Sequence, residues 1–244
     1  MIFFLHLLSI QPGFSQAYEA QPCVQQATLG AQVEKGTIDS LTPKGPSFIL
    51  SATSSMLEAP KSKRPSEPES SSMADPDSHE EYLKSLDAWT CTYGAPNLVD
   101  GNIATGWAEG EKGHGKAAVV VVPLPDTSKG LQISAGYGKS ESLWYKNSRP
   151  RLIEVSVFGQ GWAPPVQGDM QQELPLMGRI VIALQDTMGW QGLPLPPIQD
   201  KVVKARTTQA DVSQKASYLA LRILDVFPGT KWSDTVISEI RARP

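Results

Sequence analysis

The chain has 244 residues, of which 40% are hydrophobic and 19% charged, and it carries 20 glycines and 20 prolines. Globular chains run at about 45–50% apolar and about 25% charged, and this many prolines would break too many helices for a bundle or a coiled coil, so a loop-rich, mostly β protein is expected. A net charge of −3 gives no default nucleic-acid footprint, and three histidines with two cysteines exclude a Cys-rich zinc site and a disulfide-dense scaffold.

Residues 2–10 read IFFLHLLSI. The run is shorter than the roughly 20 apolar residues a membrane span needs, and it resembles the apolar core of a signal peptide. Ser15-Gln16-Ala17 offers a small-x-small cleavage site, so 1–17 reads as a possible signal peptide and export to a secreted, periplasmic or surface location is expected. No Lys or Arg precedes the run. Cys23 and Cys91 can pair in an oxidising compartment or remain two unrelated thiols, because spacing alone gives no Cα separation.

Residues 18–85 read as a mostly disordered linker or stalk. Ser, Pro, Glu and Lys dominate 51–80, aromatics are absent there, and such a stretch buries too little apolar surface to offset its ordering entropy. Ser78 and Glu81 form a capping-box pattern ahead of Tyr82, Leu83 and Leu86, which predicts a brief helix over 79–86.

From 86 to 243 the character changes to short β-rich runs separated by Gly, Pro, Asn and Asp. The runs are 117–122, 131–133, 151–158, 179–184 and 218–224, with near-alternation at Leu152, Ile153, Val155 and Val157 and at Leu219, Leu221 and Ile223. This predicts an all-β, antiparallel jelly-roll sandwich, with long connections at 159–178 and 188–200.

Several motifs lie along this region in order. Asn97-Leu-Val-Asp100-Gly101-Asn102-Ile-Ala-Thr105-Gly106-Trp107 comes first, then Trp107-Ala-Glu109-Gly110 with Gly113 and Gly115. Gly136-Tyr137-Gly138-Lys139-Ser140 precedes Tyr145-Lys146-Asn147-Ser148-Arg149, and Lys231 to Ile240 closes the chain. Together they resemble discoidin domains, the coagulation-factor C-type branch of the galactose-binding-like jelly rolls, and within it the subfamily named for the translocation domain of NAD glycohydrolases. The resemblance implies a binding module; the NAD-cleaving activity of that subfamily's name belongs to a different domain.

In calcium-bearing discoidin relatives the ion sits in the first of these loops, with a late Glu reaching in. Asp100, Asn102, Thr105 and Glu239 match those positions, and calcium binding by mixed carboxylate and carbonyl oxygens is one reading. The other is an Asx turn, in which Asp100 accepts backbone N–H groups and Glu239 bridges the chain ends. Trp107 reads as a core residue anchoring the loop, and His114 as an isolated loop histidine.

Tyr137, Lys139, Tyr145, Lys146, Asn147 and Arg149 mix aromatic faces with cations and an amide, which suits sugar C–H faces and hydroxyls. A core-plugging Tyr137 with ion-paired Lys146 and Arg149 explains the same residues structurally. Trp144, Trp162, Trp190 and Trp232 fall in predicted loops, and Trp190, then Trp232, are the first choices for exposed recognition groups. No phosphate loop, dinucleotide fingerprint or histidine-based triad is present in the sequence. A non-catalytic module binding a glycan is therefore expected, with an envelope-protein adaptor as the alternative and a carboxylate-based hydrolase as a remote third.

Overall fold

The computed structural model describes residues 23–38, 51–68, 76–160, 174–199, 201–204 and 211–244; the signal-like segment 1–17 and Trp162 lie outside them. In chain order come β1 (Val24–Gln25), α1 (Leu29–Lys35), β2 (Thr37–Ile38), β3 (Ala52–Thr53), a 3-10 turn (Lys61–Lys63) and α2 (Pro76–Thr90). A second 3-10 turn (Ala95–Leu98) leads to β4 (Trp107–Ala108), β5 (Val119–Pro123), β6 (Leu131–Ala135), α3 (Glu141–Lys146) and β7 (Arg149–Gln160). The remainder is β8 (Leu174–Ala183), β9 (Trp190–Leu193), β10 (Lys201–Lys204), β11 (Asp211–Phe227) and β12 (Val236–Ala242).

The strands make two sheets. The larger runs β1-β3-β5-β11-β7-β8-β2, with β10 also paired to β11, and the smaller runs β4-β12-β6-β9. All pairs are antiparallel except β1 with β3. The sheets face each other across one apolar core, with Val120, Val122, Ile153, Val155, Leu219 and Leu221 from the larger sheet meeting Trp107, Leu131, Ile133, Leu193, Ile237 and Ile240 from the smaller. Alternation along each strand sends these residues inward, as the patterned runs predict.

The stalk expectation over 18–85 does not hold for the described residues. A second apolar cluster covers the outer face of the larger sheet, where Leu29 and Val33 of α1, Ile38 and Ala52 pack with Val119, Val121, Phe158, Leu174, Tyr218 and Ala220. Arg179 fixes the far end of α1 by donating to the Val33 and Glu34 carbonyls, groups that a helix C-terminus leaves unsatisfied. Cys23 and Cys91 form a disulfide, with their Cα atoms 5.4 Å apart. The low-complexity stretch contributes β3, which pairs Ala52 with Val121 and Thr53 with Val120. Small buried residues, not a patterned apolar run, do this work, which is why composition misleads there.

Three further boundaries differ from expectation. The helix expected at 79–86 extends over Pro76–Thr90, with the Lys84–Glu80 pair one turn apart supporting it. The connection expected at 188–200 contains β9, and β7 and β8 extend into the one expected at 159–178. Trp144 and Trp190 are not loop residues: the first is buried on α3 and the second opens β9.

Leu29→Ala tests the integration of the N-terminal segment. Removing a fully buried leucine from the outer cluster should destabilise the protein by about 2–5 kcal/mol, read as a lower urea midpoint at unchanged slope. An unchanged midpoint would mean that the segment hangs free.

Candidate functional site

The register brings four connections to one end of the sandwich. Arg149 at the start of β7 lies opposite Phe227 at the end of β11, and Leu152 lies opposite Ala183 at the end of β8. Ser134 near the end of β6 pairs with Trp190, and Gly136 and Ser148 bridge Ile237 and Thr235 at the start of β12. The connections 136–148, 184–189 and 228–235, together with 109–118 leading into β5, therefore converge.

The 136–148 connection is built around a stack. Gly136 has φ +92° and leaves no room for a side chain, since a Cβ there would come within 2.5 Å of the Trp144 indole nitrogen. Ser140 caps α3 by accepting from the Leu143 N–H at 3.2 Å. Trp144 is buried and donates its indole N–H to the Ala135 carbonyl at 2.8 Å. Tyr145 meets it edge-on with centroids 5.0 Å apart, and the Arg149 guanidinium lies 4.3 Å from the Trp144 ring centroid. Arg149 is held in turn by two parallel bonds to Asp186, at 2.7 and 3.0 Å.

The 228–235 connection is stitched to this one. Thr230 N–H donates to the Tyr145 carbonyl at 3.0 Å, and the Lys231 and Trp232 N–H groups donate to the Lys146 carbonyl at 3.2 and 2.8 Å. Gly229 allows this approach, because a Cβ there would sit 2.5 Å from the Lys146 oxygen. Its N–H donates to Ser148 Oγ at 3.0 Å.

Of the residues expected to meet ligand, this arrangement brings Tyr145, Lys146 and Trp232 together. Tyr145 is 50% exposed. Asn147 and Arg149 are corrections: both are buried, Asn147 donating to the Leu143 carbonyl and Arg149 engaged by Asp186 and Trp144. Lys139 is exposed at the start of α3. Tyr137 is partly buried, and burial together with the neighbouring Tyr93 phenol raises its pKa. Trp190 lies on the smaller sheet with the Arg241 guanidinium 3.7 Å from its ring centroid, so that face is covered. Asp186, Thr230 and Gly229 have no signal in the sequence, because their roles depend on pairing across 37 to 85 positions.

The residues expected to hold calcium also converge. Asn102 N–H donates to Asp100 Oδ1 at 2.8 Å and to Glu239 Oε2 at 3.0 Å, and the Thr105 hydroxyl reaches Asp100 Oδ2 at 2.7 Å and the Asn102 carbonyl at 2.6 Å. The loop is an Asx turn whose oxygens are engaged by its own N–H and O–H groups. Glu239 is 1% exposed, and burial, reinforced by the Asp100 carboxyl beside it, pushes its pKa up to about 7. Among the described residues no group of three or more His, Cys, Asp and Glu side chains could hold a metal ion.

Glu109, a member of the Trp107-Ala-Glu109-Gly110 motif, is a second buried carboxyl. It accepts from Thr235 N–H at 2.8 Å and Glu111 N–H at 2.7 Å, tying the glycine-rich loop to the start of β12. Burial pushes its pKa up to about 7 against the lowering effect of those two bonds. His114 is not isolated: its Nδ1 lies 2.9 Å from Ser148 Oγ. Ser148 is fully buried and accepts from Gly229, so this pair knits loops and presents no accessible nucleophile.

A two-sheet antiparallel sandwich carrying this turn, this tryptophan anchor and convergent loops at one end is a discoidin-like binding module, a class generally without catalysis. The sequence model for the NAD glycohydrolase translocation F5/8 type C domain matches residues 77–243, more than half of the chain, and the chain belongs to that family. A crystal structure of the F5/8 type C domain of a Bacteroides fragilis protein is similar, with 17% identity and a TM-score of 0.34, covering 64% of this chain and 83% of that one. No curated protein matches. No helix among the described residues is long and apolar enough to cross a membrane.

The buried Glu109 makes stability pH-dependent with a defined sign. Its folded pKa lies above the ordinary 4.5, so the folded state binds the extra proton between about pH 4.5 and 7. Stability is therefore fullest below 4.5 and falls as pH rises through 7, by on the order of 3 kcal/mol for this group. Glu109→Gln should flatten the decline seen in urea titrations across that window. An unchanged slope would show that Glu109 titrates normally in the fold.

Proposed function

We propose that this chain is a non-catalytic carbohydrate-binding module of an exported protein, with Tyr145, Lys146 and Trp232 at the contact surface and Lys139 and Tyr137 flanking it. The observation that carries the reading is the half-exposed Tyr145, whose ring meets edge-on a Trp144 that is itself buried and stacked on the Asp186-bound Arg149. An aromatic ring packed against a buried neighbour loses little conformational entropy when a sugar packs against it, and the neighbouring amines are available to hydroxyls. The Cys23–Cys91 disulfide supports an oxidising compartment, in agreement with the signal-like segment.

Tyr145→Ala should abolish at least nine-tenths of binding on a glycan array while the melting temperature stays within about 2 °C, since half of the side chain is already in solvent. Absence of any saccharide hit with the native chain would overturn the carbohydrate reading. An adaptor role is favoured by one specific observation: Ile103 and Met188 present exposed apolar side chains, 44% and 45% accessible, on two different loops. Capture of an envelope protein that is lost in Ile103→Ser or Met188→Ser, without saccharide binding, would establish that reading instead.

The oxygens of Asp100, Glu239 and the Asn102 carbonyl are engaged by the N–H and O–H groups of the turn itself. Adding millimolar calcium to chelator-treated protein should therefore leave the melting temperature unchanged. A rise in the native chain that is lost in Asp100→Asn would assign a calcium site to this loop instead.

A further inference from the structure

Resting on the carbohydrate reading, we propose that the surface of Tyr145, Lys146, Lys231 and Trp232 selects a negatively charged saccharide, whose acid group sits with the two ammonium groups while a sugar ring packs on Tyr145. The two lysines are neighbours because the Lys231 N–H donates to the Lys146 carbonyl at 3.2 Å. Gly229 and Thr230 fix that approach, so the juxtaposition belongs to the fold and not to a chance of side-chain reach.

Neither lysine has a carboxylate partner among the described residues. Other cations of this end differ: Arg149 pairs with Asp186, and Lys116 and Arg151 both pair with Asp225. Two lysines on adjoining backbone without an anion form a receptive site for one, and the Lys231 ammonium lies 4.7 Å from the Trp232 ring centroid. A neutral sugar would leave this charge unanswered.

The test uses the full chain against paired ligands: polygalacturonate with its methyl ester, dextran sulfate with dextran, and polysialic acid with a neutral oligosaccharide. At least one acidic member should bind ten-fold or more tighter than its neutral partner, and the difference should shrink as salt is raised. Lys146→Gln with Lys231→Gln should remove most of that preference at unchanged melting temperature, whereas the control pair Lys61→Gln with Lys63→Gln, on the 3-10 turn outside this surface, should not. Equal affinity for acidic and neutral partners would overturn the charge selectivity and leave the carbohydrate reading standing. Loss of preference in the control pair as well would reveal nonspecific polyanion binding and overturn the site. Binding to no saccharide would overturn both readings. Lysine-dependent binding to phosphatidylserine vesicles without saccharide binding would assign the surface to membranes instead.

Discussion

Burial of β5 and β11 on both faces is the constraint from which the rest of the molecule follows. Val119, Val120, Val121 and Val122 are all buried, and they point alternately to opposite sides. Leu219, Leu221 and Ile223 face inward, while Tyr218 and Ala220 face outward. A sheet apolar on both faces needs a covering layer on each. The smaller sheet covers the inside. The outside is covered by α1 and β2, which lie before the region that matches the family model. A two-sheet sandwich alone would leave Phe158 and the outward valines in water.

The outer layer is connected to the end where the loops converge by a short chain of bonds. Thr53 of β3 accepts the Trp107 indole N–H at 2.9 Å, and Leu57 N–H donates to the Ala108 carbonyl at 2.9 Å. Trp107 and Ala108 form β4, which pairs with Ile237 and Val236 at the start of β12. Just before β12 stands Thr235, bonded to Glu109, and before that the connection carrying Lys231 and Trp232. The position of that loop therefore rests on an anchor tryptophan whose polar atom is satisfied from outside the family region. An indole N–H buried without an acceptor would cost about 1–3 kcal/mol, so Thr53 is part of the anchor.

The inward face was legible in the sequence because alternation at Leu152 to Val157 and at Leu219 to Ile223 fixes which residues meet the core. The order of motifs gave the fold class, and Trp107 was readable as core. The outer layer was legible only in part. The unbroken apolar run at 117–122 signals burial on both faces, yet the partner that covers it is poor in large apolar residues and reads as a linker. Leu29 and Val33 at helical spacing are too few to register beside so much Ser, Pro and Glu. At the binding end, the sequence marks residue types and not their engagements. Arg149 and Tyr145 look equally suited to a ligand, and only the Asp186 partner, 37 positions away, separates the buried one from the exposed one.

That separation reflects a sorting of charge by the fold. Asp186 is drawn onto Arg149, and Asp225 onto Lys116 and Arg151, which hold its pKa down to about 2. Glu109 is buried and accepts two backbone N–H groups, and the negative charge of Asp234 is felt there, helping to raise the Glu109 pKa. Glu141 occupies the first turn of α3, where the helix end attracts it. Asp186, Asp225 and Glu109 are thus engaged by the framework, while Lys146 and Lys231 are brought onto adjoining backbone by bonds that involve neither ammonium group. In a chain of net negative charge, this meeting of two lysines beside an exposed tyrosine is a product of tertiary structure, and neither composition nor motif spacing contains it.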